Sequence, residues 1–134
     1  MEPGAEHERL RVIAVSDEES NAISSGDAEG YFAILAADAV FMPPNIRPKA
    51  GAVLRQWLIE FLHEVRIEVL SSEHGQTVAA DDFAWHEYSC SWKVTPRAGG
   101  QAQTTHFKGL HILNRLPDGS WKLSRNIWNL NPAG

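Results

Sequence analysis

The sequence predicts an α+β domain in which helices cover one face of an antiparallel sheet. Two observations support this class. Apolar residues recur at helical spacing in the first half of the chain, and they alternate with polar residues between turn signals in the second half. The chain has 134 residues, so we expect one domain spanning 1–134, with residues 1–5 as a disordered N-terminus.

Three helices are predicted in the first half. The first spans 6–25 and ends at Gly26, and Asp27 caps a second helix over 28–36. A short strand over 40–42 and a loop over 45–51 follow. The third helix spans 51–64. Its apolar stripe consists of Val53, Leu54, Trp57, Leu58, Phe61 and Leu62.

The second half predicts four strands joined by turns such as PRAGG and PDG. These strands span 66–75, 82–95, 101–116 and 120–131. Simple alternation on the last strand puts Trp121, Leu123 and Ile127 on one face, with Trp128 and Leu130 on the other. Two apolar faces favour a homodimer formed through the outer face of the sheet. The alternative is a small apolar patch on a monomer.

Composition limits the binding partners and the cellular compartment that we expect. The net charge is −5, and no basic run is present, so we expect neither nucleic-acid nor membrane binding. The single cysteine, Cys90, cannot form an internal disulfide, which favours a reducing compartment. Because the N-terminus is polar and no apolar run approaches about 20 residues, we expect a cytoplasmic protein.

Glu19 is the unusual residue of the first helix. At 100° per residue, Val12, Val15, Ala22 and Ile23 share one face, and Glu19 falls near its middle. A carboxylate buried there needs a hydrogen-bonded partner or a raised pKa, and either condition suits acid–base chemistry. In the alternative, the stripe turns slightly and Glu19 meets water or a surface arginine.

Two segments, GDAEGYFAILAADAVFMPPN and DGSWKLSRNIWN, resemble the nuclear-transport-factor-2-like (NTF2-like) superfamily, in particular its SnoaL-like and ketosteroid-isomerase-like members. The likeness covers nearly the whole chain. It implies a cone-shaped fold, in which a strongly curved mixed or antiparallel sheet wraps around three N-terminal helices and leaves a deep apolar pocket. It also implies dimerisation through the outer sheet face. Because the fold hosts isomerases, dehydratases, cyclases and binding modules, it does not define the chemistry.

The resemblance does not extend to the catalytic residues of the isomerase. That enzyme uses an aspartate base, with a tyrosine and a protonated aspartic acid holding the oxyanion. The base aligns with Pro43, the tyrosine with Glu19 and the acid with His111. Since Pro43 has no proton-accepting side chain, we do not expect steroid isomerisation by that mechanism.

The remaining candidates are grouped by strand face. Alternation places Thr105, Phe107, Gly109, His111 and Leu113 together, so His111 could face the pocket and pair with Glu19, or be a satisfied core histidine. On the last strand Ser124, Asn126 and Trp128 share a face, and Trp128 aligns with a pocket tryptophan of the isomerase. Aromatic wall candidates, which could equally be plain core residues, are Trp57, Phe41, Phe107, Tyr88 and Trp92.

Other chemistry has little support in the sequence. His63, His74, His86, His106 and His111 show no metal-binding spacing, and no phosphate-binding or dinucleotide motif is present, so we expect no metal and no cofactor. Cys90 lies mid-strand and should be inert. The leading interpretation is a protein that binds a small apolar or aromatic molecule, with cofactor-free isomerisation, dehydration or cyclisation using Glu19 and His111. The alternative is a non-catalytic ligand-binding or dimer-assembly module.

Overall fold

The computed structural model describes residues 3–132, which form three helices and six strands. The helices are α1 (Pro3–Ser25), α2 (Ala28–Ala33) and α3 (Gly51–Glu64). The strands are β1 (Leu35–Met42), β2 (Lys49–Ala50), β3 (Val65–Ala79), β4 (Phe83–Pro96), β5 (Gln103–Arg115) and β6 (Trp121–Asn131).

The strands form one curved mixed sheet in the order β2-β1-β6-β5-β4-β3. Strands β3 to β6 are an antiparallel meander, whereas β1 joins the sheet parallel to β6. The helices pack against the inner face of the sheet, around a core that includes Val12, Phe41, Leu58 and Leu123. The predicted α+β class is therefore confirmed.

Local signals at the end of α1 position the next helix. Gly26 has φ +69°, and its N–H donates to Ile23, while the N–H of Asp27 donates to Ala22. This is a Schellman arrangement, which uses glycine because L side chains are strained at positive φ. The Asp27 carboxylate then accepts from the N–H of Gly30 at 2.9 Å and caps α2. The cap fixes the position of α2 beside α1.

Several predicted boundaries shift. Helix α1 begins at Pro3, inside the segment predicted to be disordered, and residues 1 and 2 lie outside the described range. Helix α2 ends at Ala33, because the chain pairs with β6 from Leu35 onward. A short strand, β2, lies in the predicted loop. Within the predicted stripe of α3, Val53 is 62% exposed.

A β-bulge changes the predicted faces of β6. Ile112 pairs with Arg125 and Leu113 pairs with Leu123, so Ser124 is an extra residue in the ladder. A one-residue insertion reverses all side chains beyond it. Trp121 and Leu123 therefore share the inner face with Trp128 and Leu130, and Ile127 alone of the predicted trio lies on the outer face. The prediction that Trp121 and Leu123 lie opposite Trp128 is wrong.

Candidate active site

A cavity of about 380 Å³ lies between the helices and the inner face of the sheet. Its walls are mainly aromatic and aliphatic, a composition typical of sites for small apolar ligands. Ring contacts hold the wall together: Phe41 packs edge-on against Trp128 at 6.0 Å, and Trp92 packs edge-on against Phe107 at 4.6 Å between centroids. The predicted site residues on its wall are Glu19, Phe41, Trp57, Tyr88, Phe107, Asn126 and Trp128.

Within residues 3–132, Glu19 is the only carboxylate on this wall, and its residue is 7% exposed. Oε2 accepts a hydrogen bond from the Tyr31 hydroxyl at 2.5 Å and a long one from the Asn126 amide at 3.4 Å. Oε1 lies 3.1 Å from Nε2 of His111. The last contact has the distance of an ion pair, but Nε2 has no well-aligned hydrogen-bond partner among residues 3–132.

The surroundings of Glu19 compete in setting its pKa. Burial acts to raise the pKa, but the charge of His111 and the hydrogen bond from Tyr31 outweigh it, so the pKa lies below the ordinary value. The carboxylate is consequently ionised at neutral pH. Of the two conditions expected for a buried Glu19, the structure shows the partnered carboxylate rather than the raised pKa.

Two tyrosines supply protonated hydroxyls around this carboxylate. Burial, followed by the charge of Glu19, raises the pKa of Tyr31 and of Tyr88 well above the ordinary value. The Tyr88 hydroxyl donates to Oδ1 of Asn126 at 2.7 Å. This bond assigns the amide orientation and directs Nδ2 toward Glu19. The cavity wall therefore presents one ionised acceptor, which is held by the neutral donors Tyr31 and Asn126.

A row of histidines lies behind the carboxylate. His111 is 2% exposed, and its Nδ1 lies 3.1 Å from Nδ1 of His86. Nε2 of His86 lies 2.9 Å from Nδ1 of His74, and Nε2 of His74 lies 3.0 Å from Oδ1 of Asp17. The Tyr88 ring stacks on His111 at 4.2 Å. The structure thus brings together three of the five histidines that the sequence shows as scattered.

Two predicted site residues lie off the cavity wall. His111 contacts Glu19 from behind, and Ser124, which is 5% exposed, has its hydroxyl 3.2 Å from the guanidinium of Arg125. Cys90 does line the cavity, but burial, followed by the charge of Glu19, raises the pKa of its thiol to about 12. A thiol that remains protonated is a poor nucleophile. Pro43, at the position of the isomerase base, also lines the cavity.

Sequence reasoning missed Tyr31, His86, His74 and Asp17 as members of the site. The strand register could have identified His86, because the turn between β4 and β5 places it opposite His111. Tyr31 carries no such signal, because its position depends on how α2 packs on α1.

Two absences hold for the part of the chain that the structure describes. No group of three or more His, Cys, Asp and Glu residues within 3–132 is arranged to hold a metal ion. Among the same residues, no helix combines the length and apolar character needed to cross a membrane.

This architecture is an NTF2-like fold of the ketosteroid-isomerase-like type, as the resemblance predicts. Solved structures similar to the chain include a ketosteroid isomerase-like protein from Erwinia carotovora atroseptica, with a TM-score of 0.85, 20% identity, and coverage of 94% of this chain and 98% of that one. A proposed dehydratase of the NTF2-like family from Streptomyces avermitilis has a TM-score of 0.72 and 15% identity, with 96% and 99% covered.

A third similar structure is an NTF2-like superfamily protein from Salmonella enterica, with a TM-score of 0.75, 10% identity, and coverage of 93% of this chain and 92% of that one. No protein-family model matches the sequence, and no curated protein is significantly similar to it. At these identities the comparisons establish the fold alone.

Proposed function

We propose that this protein is an acid–base enzyme that removes a proton next to the carbonyl group of a small apolar or aromatic molecule. The observation that carries the proposal is the buried, ionised carboxylate of Glu19 on an aromatic cavity wall, held by Tyr31 and His111. An ionised carboxylate in contact with the ligand is a proton acceptor, and an apolar wall excludes the water that would compete for the proton.

The reaction class follows from where the proton goes next. Glu19 takes a proton from carbon, and the electron pair moves to the carbonyl oxygen. There an N–H of the Asn126 amide, whose Oδ1 accepts from Tyr88, can stabilise negative charge. As the carbonyl group re-forms, the electron pair makes a C=C bond and the C–O bond on the adjacent carbon breaks. The protonated Glu19 gives its proton to the leaving hydroxyl, and water departs. Returning the proton to a different carbon gives an isomerisation instead.

We favour dehydration of a hydroxy-substituted ketone among these alternatives. The isomerase base position is Pro43, so the geometry for moving a proton in the manner of that enzyme is missing. The similarity to a proposed dehydratase of the same fold is in keeping with this choice. In this mechanism His111 orients Glu19, and Asn126 orients the substrate oxygen.

A binding and turnover assay tests the proposal. Trp57, Trp92 and Trp128 line the cavity, so tryptophan fluorescence should report binding of hydroxy-substituted cyclic ketones. Mass spectrometry should detect loss of one water from at least one of them. Glu19→Gln should keep binding and lower turnover at least about 100-fold. The exposed neighbour Glu18, changed to Gln, is the matched control. Binding by the wild type without turnover of any ketone would instead indicate a non-catalytic binding module.

We also propose that the chain forms a homodimer through the outer face of the sheet. Ile127 is 42% exposed there and pairs directly with Leu110 across β5 and β6, so the two side chains form an apolar patch on the side of the sheet opposite the cavity. Such a dimer leaves the cavity free in both protomers.

A further inference from the structure

The three histidines and two carboxylates form a continuous chain of contacts. It runs from Asp17, whose side chain is 60% exposed, through His74, His86 and His111 to Glu19. Both carboxylates belong to α1, and the histidines come from three adjacent strands, β3, β4 and β5. Each step is 2.9–3.1 Å long. The chain therefore joins the surface of the protein to the carboxylate on the cavity wall.

Counting protons shows which hydrogen bonds this chain of contacts can form. It has four gaps between neighbouring groups, and each gap needs one proton to become a hydrogen bond. Three neutral histidines supply three protons, because each neutral imidazole carries one N–H. Filling the fourth gap with both carboxylates ionised would require one additional proton, which one of the rings would hold as an imidazolium.

We propose that His74, His86 and His111 form a proton relay that exchanges the proton acquired by Glu19 with the surface at Asp17. The relay rests on the proposed function of Glu19: whenever the abstracted proton is not passed to the leaving hydroxyl, the relay restores the carboxylate without opening the cavity to water. His74, His86 and His111 act as positioning and transfer residues, and none of them contacts the substrate.

Transfer through the relay reverses the tautomer of the middle ring. When the additional proton is on His111, Nδ1 of that ring donates to His86, which carries its own proton on Nε2 and donates to His74. When the additional proton is on His74, His86 carries its proton on Nδ1 and donates to His111. The two states differ by a shift of one proton in each gap between rings, with no net gain or loss of charge.

The surroundings of the middle ring keep it neutral in both states. Burial, followed by the charges of His111 and His74, lowers the pKa of His86 to about 3. Glu19 acts in the opposite direction, and the Tyr88 ring stacks on His86 at 6.2 Å as a neutral neighbour. A neutral middle ring passes a proton by exchanging tautomers rather than by storing charge. At the last link, His111 must rotate to align Nε2–H with Glu19.

Nitrogen-15 NMR of the imidazole rings at neutral pH tests the relay, because the nitrogen shifts separate the two tautomers from the imidazolium. Asp17→Asn removes negative charge from the surface end, so the additional proton should move to His111 and His86 should be protonated on Nε2. Glu19→Gln should have the opposite effect, with His86 protonated on Nδ1. His106→Gln is the control, since His106 bonds Ser91 outside this chain of contacts and its loss should leave His86 unchanged.

The same tautomer at His86 in both carboxylate variants would overturn the relay. A second measurement needs no variant: a nitrogen–nitrogen coupling between Nδ1 of His86 and Nδ1 of His111 should be present in the wild type. Its absence would show that the central hydrogen bond does not form, and would also overturn the relay.

Kinetic measurements with a ketone that the wild type dehydrates distinguish failure of the relay from failure of the proposed function. In D2O, His74→Ala should lower the rate at which the α-hydrogen of the ketone exchanges for deuterium, relative to the rate of water loss, and added imidazole should restore part of the exchange. If Glu19→Gln abolishes turnover but His74→Ala does not slow the deuterium exchange, the function of Glu19 stands and the relay is wrong.

Discussion

Nε2 of His111 on β5 lies 3.1 Å from Oε1 of Glu19 on α1, so the first helix and the middle of the sheet meet through an ion-pair contact inside the protein. Burial of a charge is unfavourable unless partners offset it, and here His111, Tyr31 and Asn126 all face the carboxylate. The same contacts hold α1 against the sheet and keep Glu19 ionised beside the cavity. Structure and proposed chemistry therefore depend on the same few residues.

The first prediction concerns stability in acid. The folded pKa of Glu19 lies below the ordinary value of 4.5, so its ionised form stabilises the fold above that pH. This contribution is lost as the pH falls below 4.5 and through the lower folded pKa. Urea unfolding measured from pH 7 downward should show a steeper acid loss in the wild type than in Glu19→Gln. Equal slopes in the two proteins would contradict the assigned pKa direction.

The second prediction concerns the hydroxyl of Tyr31. Tyr31→Phe removes the donor to Oε2 of Glu19 and keeps the buried ring, which is 3% exposed and packs at 5.9 Å from Phe41. We expect a loss of about 1–3 kcal/mol in the free energy of unfolding, because a buried carboxylate loses a hydrogen bond. The pKa of Glu19 should rise. Urea titration and carbon-13 NMR of the Glu19 carboxyl measure the two effects.

A control separates this bond from general loss of a hydroxyl. Tyr88→Phe removes the donor to Asn126, not to Glu19, so it should raise the pKa of Glu19 less than Tyr31→Phe does. A larger rise in the Tyr88 variant would show that Tyr31 is not the main hydroxyl partner.

The strongest periodic signals in the sequence predicted their elements well. Helix α3 has the predicted bounds 51–64. The spacing of the apolar residues changes from helical to strand-like at one point in the sequence, so the end of the helix is well defined. Strand β1 starts earlier than predicted, at Leu35, since Ala36 and Ala37 favour helix locally but the pairing of Leu35 with Leu123 places the chain in the sheet. Tertiary pairing of this kind is not visible in local propensity.

The candidate site was predictable where side-chain direction follows from one element alone. Helical phase places Glu19 on the inner face of α1, and alternation places His111 on the inner face of β5. The bulge at Ser124 left no pattern, because a single inserted residue reverses alternation without changing composition. The contact of Tyr31 with Glu19 also required the packing of two helices, which periodicity does not describe.

The third prediction concerns the cap of α2. In Gly30→Ala the new Cβ would clash with Oδ2 of Asp27, so the carboxylate that caps the helix must move. We expect a loss of about 1–2 kcal/mol in the free energy of unfolding, as for removal of a helix cap. Urea unfolding measures it. Gly4→Ala is the control, since nothing lies within 4 Å of its added Cβ. A Gly30→Ala protein as stable as the wild type would show that the cap contributes little.

The fourth prediction tests the proposed dimer. Ile127→Lys places a charge at the exposed apolar position on the outer face, and two-fold symmetry brings both new lysines into one interface. The wild type should sediment as a dimer and the variant as a monomer, because a buried unpaired charge is strongly unfavourable. Val53→Lys, at a 62% exposed position on α3, should remain dimeric.

Because Ile127 points away from the cavity, ligand-induced fluorescence changes should be the same in the wild type and in Ile127→Lys. A monomeric wild type, or a dimeric Ile127→Lys protein, would mean that this face does not form the interface.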